Sequence, residues 1–125
     1  PTEIKATLSA LKSSVHDRRI IAVFQPHRYS RTKILAKKFG QAFFDADSVI
    51  INDIYSANES PIPGISGETI FREIEKNQQG QVKYLPVKND ILIYLLEIIR
   101  PGDIIITMGA GDIWTVGNEL ARQLE

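Results

Sequence analysis

Ile20-Ile21-Ala22-Val23-Phe24, followed at once by Gln25-Pro26-His27-Arg28-Tyr29-Ser30-Arg31-Thr32, decides how this chain is read. A short, fully apolar run rich in β-branched residues is the pattern of a strand buried on both faces. Pro26 ends it by withholding a backbone donor. Beyond it, Ile34, Leu35, Phe39, Ala42 and Phe43 recur at helical spacing, which predicts a helix from about Arg31 to Phe44 with Ser30 or Thr32 as its cap. The segment between is a strand-to-helix turn, and in open α/β sheets such turns sit at the carboxyl edge, where ligands bind. One imidazole and two guanidiniums lie in it. Guanidiniums grip carboxylates and phosphates bidentately, and a helix amino end adds partial positive charge. The turn has the chemistry of an anion site.

The same alternation continues in both directions. Ile4, Leu8, Leu11 and Val15 predict an amphipathic helix from about Thr2 to Val15, with Pro1 suited to its first turn. Arg18 and Arg19 are expected to be solvated charges at the strand's entrance, the wrong edge for a ligand. Ser48 to Asn52 reads as a second buried strand. A long, proline-stiffened loop from Asp53 to Gly67 follows, of a length that is uncommon unless functional. Glu68–Lys76 is a third helix with Ile70, Phe71 and Ile74 inward, ended near Asn77–Gly80 with Gly80 as a left-handed cap. Val82–Leu85 is a short edge strand. Asn89 or Asp90 caps a fourth helix carrying Ile91, Leu92, Leu95, Leu96 and Ile99. Asp103–Met108 is the last strand, and a fifth helix follows with Ile113, Val116, Leu120 and Leu124 inward.

Strands alternating with helices predict an α/β fold: a doubly wound, mostly parallel, Rossmann-like sheet of about four core strands with helices on both faces. Right-handed crossovers give the strand order 3-2-1-4. That order brings three loops to one crevice: His27 to Arg31, the loop with Tyr55 and Glu59, and Gly109-Ala110-Gly111-Asp112. His27 is either a ligand contact or the organiser of its own loop. Arg28 and Arg31 either clamp an anion or pair with Asp53, Glu59 or Asp112. The glycine turn is half a dinucleotide fingerprint, with Trp114 where the third glycine would stand. It reads as a tight turn, or as a backbone wall against a ligand with Asp112 capping the last helix. Trp114 is expected to pack on the sheet or on a neighbouring domain.

The totals narrow the function. A length of 125 residues suits one domain, and 15 basic against 15 acidic residues leave no net charge for general nucleic-acid binding. With no cysteine there is neither thiolate chemistry nor a disulfide framework. The sequence holds no membrane-length apolar run, no P-loop and no clustered metal ligands, so no complete active site is expected here. The chain starts at Pro1, already at a helix, which suggests a piece of something longer.

Four segments together resemble the carboxy-terminal domain of the Mur ligases, the amino-acid-adding enzymes of bacterial peptidoglycan synthesis. Pro1-Thr2-Glu3-Ile4 is similar to the end of the family's hinge motif. Phe24 to Thr32 is similar to the signature loop of its alanine-adding members. Asp53-Ile54-Tyr55 with Pro61-Ile62-Pro63-Gly64, and Gly109-Ala110-Gly111-Asp112-Ile113, match two more segments. The resemblance covers essentially the whole chain, and it implies a bacterial cytoplasmic enzyme of three domains. The first holds a UDP-sugar, the central P-loop domain holds ATP and Mg2+, and this one closes over them. L-Alanine would be joined to UDP-N-acetylmuramate through an acyl phosphate. By similarity His27, Arg28 and Arg31 face the cleft, with His27 and Arg31 for the alanine carboxylate and Arg28 for phosphate or intermediate charge. Partners would be the other two domains, L-alanine and the UDP-sugar, with no nucleic acid and no membrane. The fragment alone would bind no cofactor and be inactive. The alternative is a stand-alone small-molecule or nucleotide-binding module.

Overall fold

The computed structural model describes residues 1–77 and 80–125. Nine elements alternate: α1 (Thr2–Ser14), β1 (Ile20–Gln25), α2 (Tyr29–Gly40), β2 (Ser48–Ile51), α3 (Gly67–Asn77), β3 (Gln81–Tyr84), α4 (Lys88–Ile98), β4 (Ile104–Gly109) and α5 (Trp114–Gln123). The strands form one sheet in the order β3-β2-β1-β4. Every pairing is parallel, including the register Ile20↔Ile104 to Gln25↔Gly109 that sets β1 beside β4.

Strand alternation divides the core. Ile20, Ala22 and Phe24 face Ile4 and Leu8 of α1, Phe39 of α2 and Ile70 and Ile74 of α3. Ile21 and Val23 face Ile91 and Leu95 of α4 and Val116 and Leu120 of α5. Phe24 anchors the first layer against Phe39 and Phe43, with ring centroids 5.2 and 5.6 Å away. Tilted pairs of this kind add about 1 kcal/mol each beyond burial. Both faces of β1 are covered, which is why its sequence is apolar without a break from Ile20 to Phe24.

Several expectations shift. The second helix begins two residues before Arg31 and stops at Gly40 instead of Phe44. A Cβ at Gly40 would lie 2.8 Å from Glu73 Cβ, so α2 and α3 approach closely there. Ala42 and Phe43 still enter the core, but from the turn beyond the helix. Ile34, counted as inward, is 78% exposed, and Leu96 and Leu124 also lie outside the core. Asn89 and Asp90 sit within the first turn of α4, after an N-cap at Val87. Gln78 and Gln79, part of the predicted turn ending at Gly80, lie outside the described residues.

Arg19 is not a solvated charge. Its guanidinium donates to both carboxylate oxygens of Asp103, at 3.1 and 2.5 Å, and to the Ile98 carbonyl at 2.6 Å. This ties the entrances of β1 and β4 together, with the Asp103 side chain only 5% exposed. The Arg19 hydrogen bond, opposed by burial, holds the Asp103 carboxyl below its ordinary range. The opposite edge of the sheet is left for ligands.

Candidate functional site at the carboxyl edge

Where β1 and β4 end side by side, a cavity of about 580 Å3 opens beneath the amino end of α1. Phe24, Phe39 and Met108 give it apolar surface, Gly109 and Ala110 a backbone wall, Arg31 a cationic side chain and His27 an imidazole, with Glu3 as the opposing charge. The strand order alone dictates this placement, because β1 and β4 are where the chain's progression across the sheet reverses.

The turn after β1 is held by the loop after β2. His27 pairs with Tyr55 as an isolated parallel bridge. The Tyr55 amide donates to the Pro26 carbonyl and the Arg28 amide to the Tyr55 carbonyl, both at 2.9 Å. The rings of His27 and Tyr55 stack with centroids 6.1 Å apart and planes 17° from parallel. Arg28, at φ 64° and ψ 145°, bends the chain into α2 in a conformation that costs a non-glycine residue about 1–3 kcal/mol.

Neither Ser30 nor Thr32 caps α2 with its side chain. Both lie inside its first turn, where Thr32 Oγ1 donates back to the Arg28 carbonyl at 2.8 Å. The capping group comes from another loop. Glu59 accepts the Ser30 amide at 2.9 Å and the Ser30 hydroxyl at 2.5 Å. Chiefly through that hydroxyl, its carboxyl is held below the ordinary value. The positive end of the helix is therefore occupied by a carboxylate of the protein itself.

The predicted site residues thus separate. His27 and Arg31 share the cavity, and Tyr55 flanks His27. Arg28 is exposed and does not line the cavity. Glu59 serves α2, and Asp112 forms a 3.0 Å ion pair with Lys88 instead of capping α5, whose N-cap is Ile113. Asp53 accepts the amides of Ile54 and Gly67 at 2.9 and 3.0 Å. Arg28 lies close enough to help hold the Glu59 carboxyl low, but among the described residues no ion pair within 4.0 Å involves Arg28 or Arg31. Trp114 belongs to neither core cluster and is 58% exposed. Among the described residues no group of three His, Asp or Glu side chains is placed to hold a metal, and no helix is long and apolar enough to cross a membrane.

Gln25 has no role in the sequence reading, although a glutamine closing an otherwise apolar buried strand is itself a signal. Its backbone fixes the glycine turn: a Cβ on Gly109 (φ +118°) would lie 2.2 Å from the Gln25 carbonyl oxygen. Its side chain is 4% exposed, with a buried oxygen that no hydrogen bond satisfies.

The family description "Mur ligase, glutamate ligase domain" matches residues 1–111. A UDP-N-acetylmuramate–L-alanine ligase of Pelotomaculum thermopropionicum is 55% identical over 125 residues, which is 100% of this chain and 27% of the relative. The enzyme of the same name from Brachyspira hyodysenteriae is 57% identical over 125 residues, with the same coverage. The chain spans about a quarter of the length of these relatives, 27% in each case. Among solved structures, a UDP-N-acetylmuramate-alanine ligase of Thermotoga maritima superposes over 99% of this chain and 24% of its own, with TM-score 0.75 and 20% identity, and so shares the fold. A domain from a putative UDP-N-acetylmuramate:L-alanyl-gamma-D-glutamyl-meso-diaminopimelate ligase of Haemophilus ducreyi superposes over 100% of this chain and 84% of its own, with TM-score 0.68 and 26% identity.

Proposed function

The chain belongs to the Mur ligase family, matching its glutamate ligase domain, and on that premise we propose that it is the carboxy-terminal, amino-acid-holding domain of a cytoplasmic bacterial UDP-N-acetylmuramate–L-alanine ligase. The observation that carries this reading is the pair His27 and Arg31 in the cavity at the end of β1, with no ion pair to Arg31 among the described residues. Similarity across the whole chain to relatives named for L-alanine supports the choice of amino acid. A guanidinium and an imidazole on an apolar wall fit a small amino acid, carboxylate to Arg31 and His27 and methyl group to Phe24 or Met108.

In the reaction proposed, the muramate carboxylate is first converted to an acyl phosphate at the expense of ATP. The alanine amine then attacks the acyl carbon, phosphate departs with the bonding electrons, and the amine loses a proton. This domain contributes orientation. Arg31 and His27 fix the carboxylate so that the amine is presented at one angle, which is where much of the rate of a two-substrate reaction originates. Arg28, beside them on the turn, offsets phosphate or intermediate charge. By the same family resemblance, ATP and Mg2+ are assigned to a central domain of the parent enzyme. The UDP-sugar is assigned to an amino-terminal one.

Titrating L-alanine against full-length enzyme carrying Arg31→Ala tests this. Loss of a charge-assisted contact to the carboxylate should raise the alanine KM roughly ten- to hundredfold, while the ATP and UDP-sugar requirements stay put. An unchanged alanine KM would overturn the assignment.

A further inference from the structure

We propose that Gln25 completes this site: its side-chain oxygen turns into the cavity and accepts a hydrogen bond from the amino group of the bound amino acid. The inference rests on the functional reading above and names the group that holds the other end of the same substrate.

The starting observation is an unmet need. Among the described residues, Gln25 Oε1 is the buried side-chain atom left without a hydrogen-bond partner. An orphaned buried acceptor destabilises the fold, and an apolar residue of like shape would remove the penalty. Strand β1 is apolar at every position before it, so packing alone would favour leucine or methionine here. Native chains rarely leave such groups unmet, and the exceptions concentrate at working sites.

The surroundings show where the amide can turn. A Cβ on Gly111 would lie 2.8 Å from Gln25 Oε1 and 2.9 Å from both Cγ and Cδ2 of Tyr55, so the turn is cut back to bare backbone beside the amide. The Tyr55 ring stacks on His27, and Gln25, His27 and Arg31 line one cavity. Rotation of the Gln25 amide about its own side-chain bonds brings its oxygen into that cavity, beside the Arg31 guanidinium and the His27 imidazole. That combination suits a zwitterion, with donors for its carboxylate and a neutral oxygen for its amine. A fully ionised dicarboxylate has no donor for such an oxygen.

Gln25→Met keeps the length of the side chain and removes both polar atoms. In the 125-residue chain it should raise the thermal midpoint, since the orphan is gone. In the full-length ligase it should raise the alanine KM roughly ten- to hundredfold and leave the KM for ATP unchanged. A lower midpoint would mean that the oxygen has a partner in the resting fold, and would overturn the proposal. So would a raised midpoint with an unchanged alanine KM. Arg31→Ala, measured alongside, separates the two layers of the argument. If Arg31→Ala raises the alanine KM and Gln25→Met does not, the role of Gln25 alone falls; if neither does, the site reading and this inference fall together. Should Gln25→Met not fold, Gln25→Glu decides, because it keeps the length and the acceptor: an alanine KM equal to or below the wild-type value supports the proposal, and a higher one refutes it.

Discussion

Replacing Gly109 by alanine isolates the packing that builds the cavity wall. Gly109 is the last residue of β4 and lies opposite Gln25 in the register. Two penalties add. Its φ of +118° is one that side-chain-bearing residues avoid, at about 1–2 kcal/mol. The new Cβ would also stand 2.2 Å from the Gln25 carbonyl oxygen and 3.1 Å from the Gln25 nitrogen and carbonyl carbon. Those are backbone atoms of the central strand and cannot swing away, so the strand ends must part and forfeit a hydrogen bond of about 1 kcal/mol. The sum is roughly 2–3 kcal/mol. Gly64 supplies the control, with φ +80° and nothing within 4 Å of its Cβ position; alanine there should cost only about 1 kcal/mol. With a urea m-value of about 1–3 kcal/mol/M for a domain of this size, Gly109→Ala should lower the unfolding midpoint by roughly 1–3 M and Gly64→Ala by well under half as much. Urea titration of the two variants by far-ultraviolet circular dichroism reads this directly. Equal shifts would refute the argument, because they would leave only the backbone conformation and no collision with β1.

Asp103→Asn should cost about 2 kcal/mol at pH 7, since it strips a charge-assisted partner from Arg19 in a part-buried setting. The Asp103 carboxyl is held below its ordinary value, so its stabilisation is complete above about pH 4 and is lost as the pH falls through the lowered folded pKa. The gap between wild type and variant in urea melts should therefore close in acid, and a gap independent of pH would count against the ion pair as its source. The 125-residue chain by itself should show no ATP-dependent joining of L-alanine to UDP-N-acetylmuramate, and turnover in a phosphate-release assay would contradict the assignment of ATP to another domain.

The architecture was legible because burial on both faces writes itself into composition: Ile20–Phe24 and Ser48–Ile51 announce central strands, and the strand order follows from the handedness of parallel crossovers. The positions of His27 and Arg31 follow from that order. What sequence reasoning missed depends on contacts between distant segments. Glu59 looked available to an arginine or a ligand, but it caps α2 from a loop 29 residues away. Asp103 claims Arg19 across 84 positions, which no local pattern records. Ile34 was misassigned because periodicity finds a helix without fixing its phase. The true start at Tyr29 and the close approach of Gly40 to Glu73 turn that residue outward while Phe43 reaches the core from a turn.

The junction of the central strand with the last one has a cost in chain entropy. The Arg19–Asp103 pair at its base joins residues 84 positions apart, and closing a loop of that length costs about 4 kcal/mol beyond the constant common to all loops. Nothing local repays it before β4 is seated. The cavity wall is built from this long closure, so a half-folded chain with α1 through β3 in place would still lack the cavity.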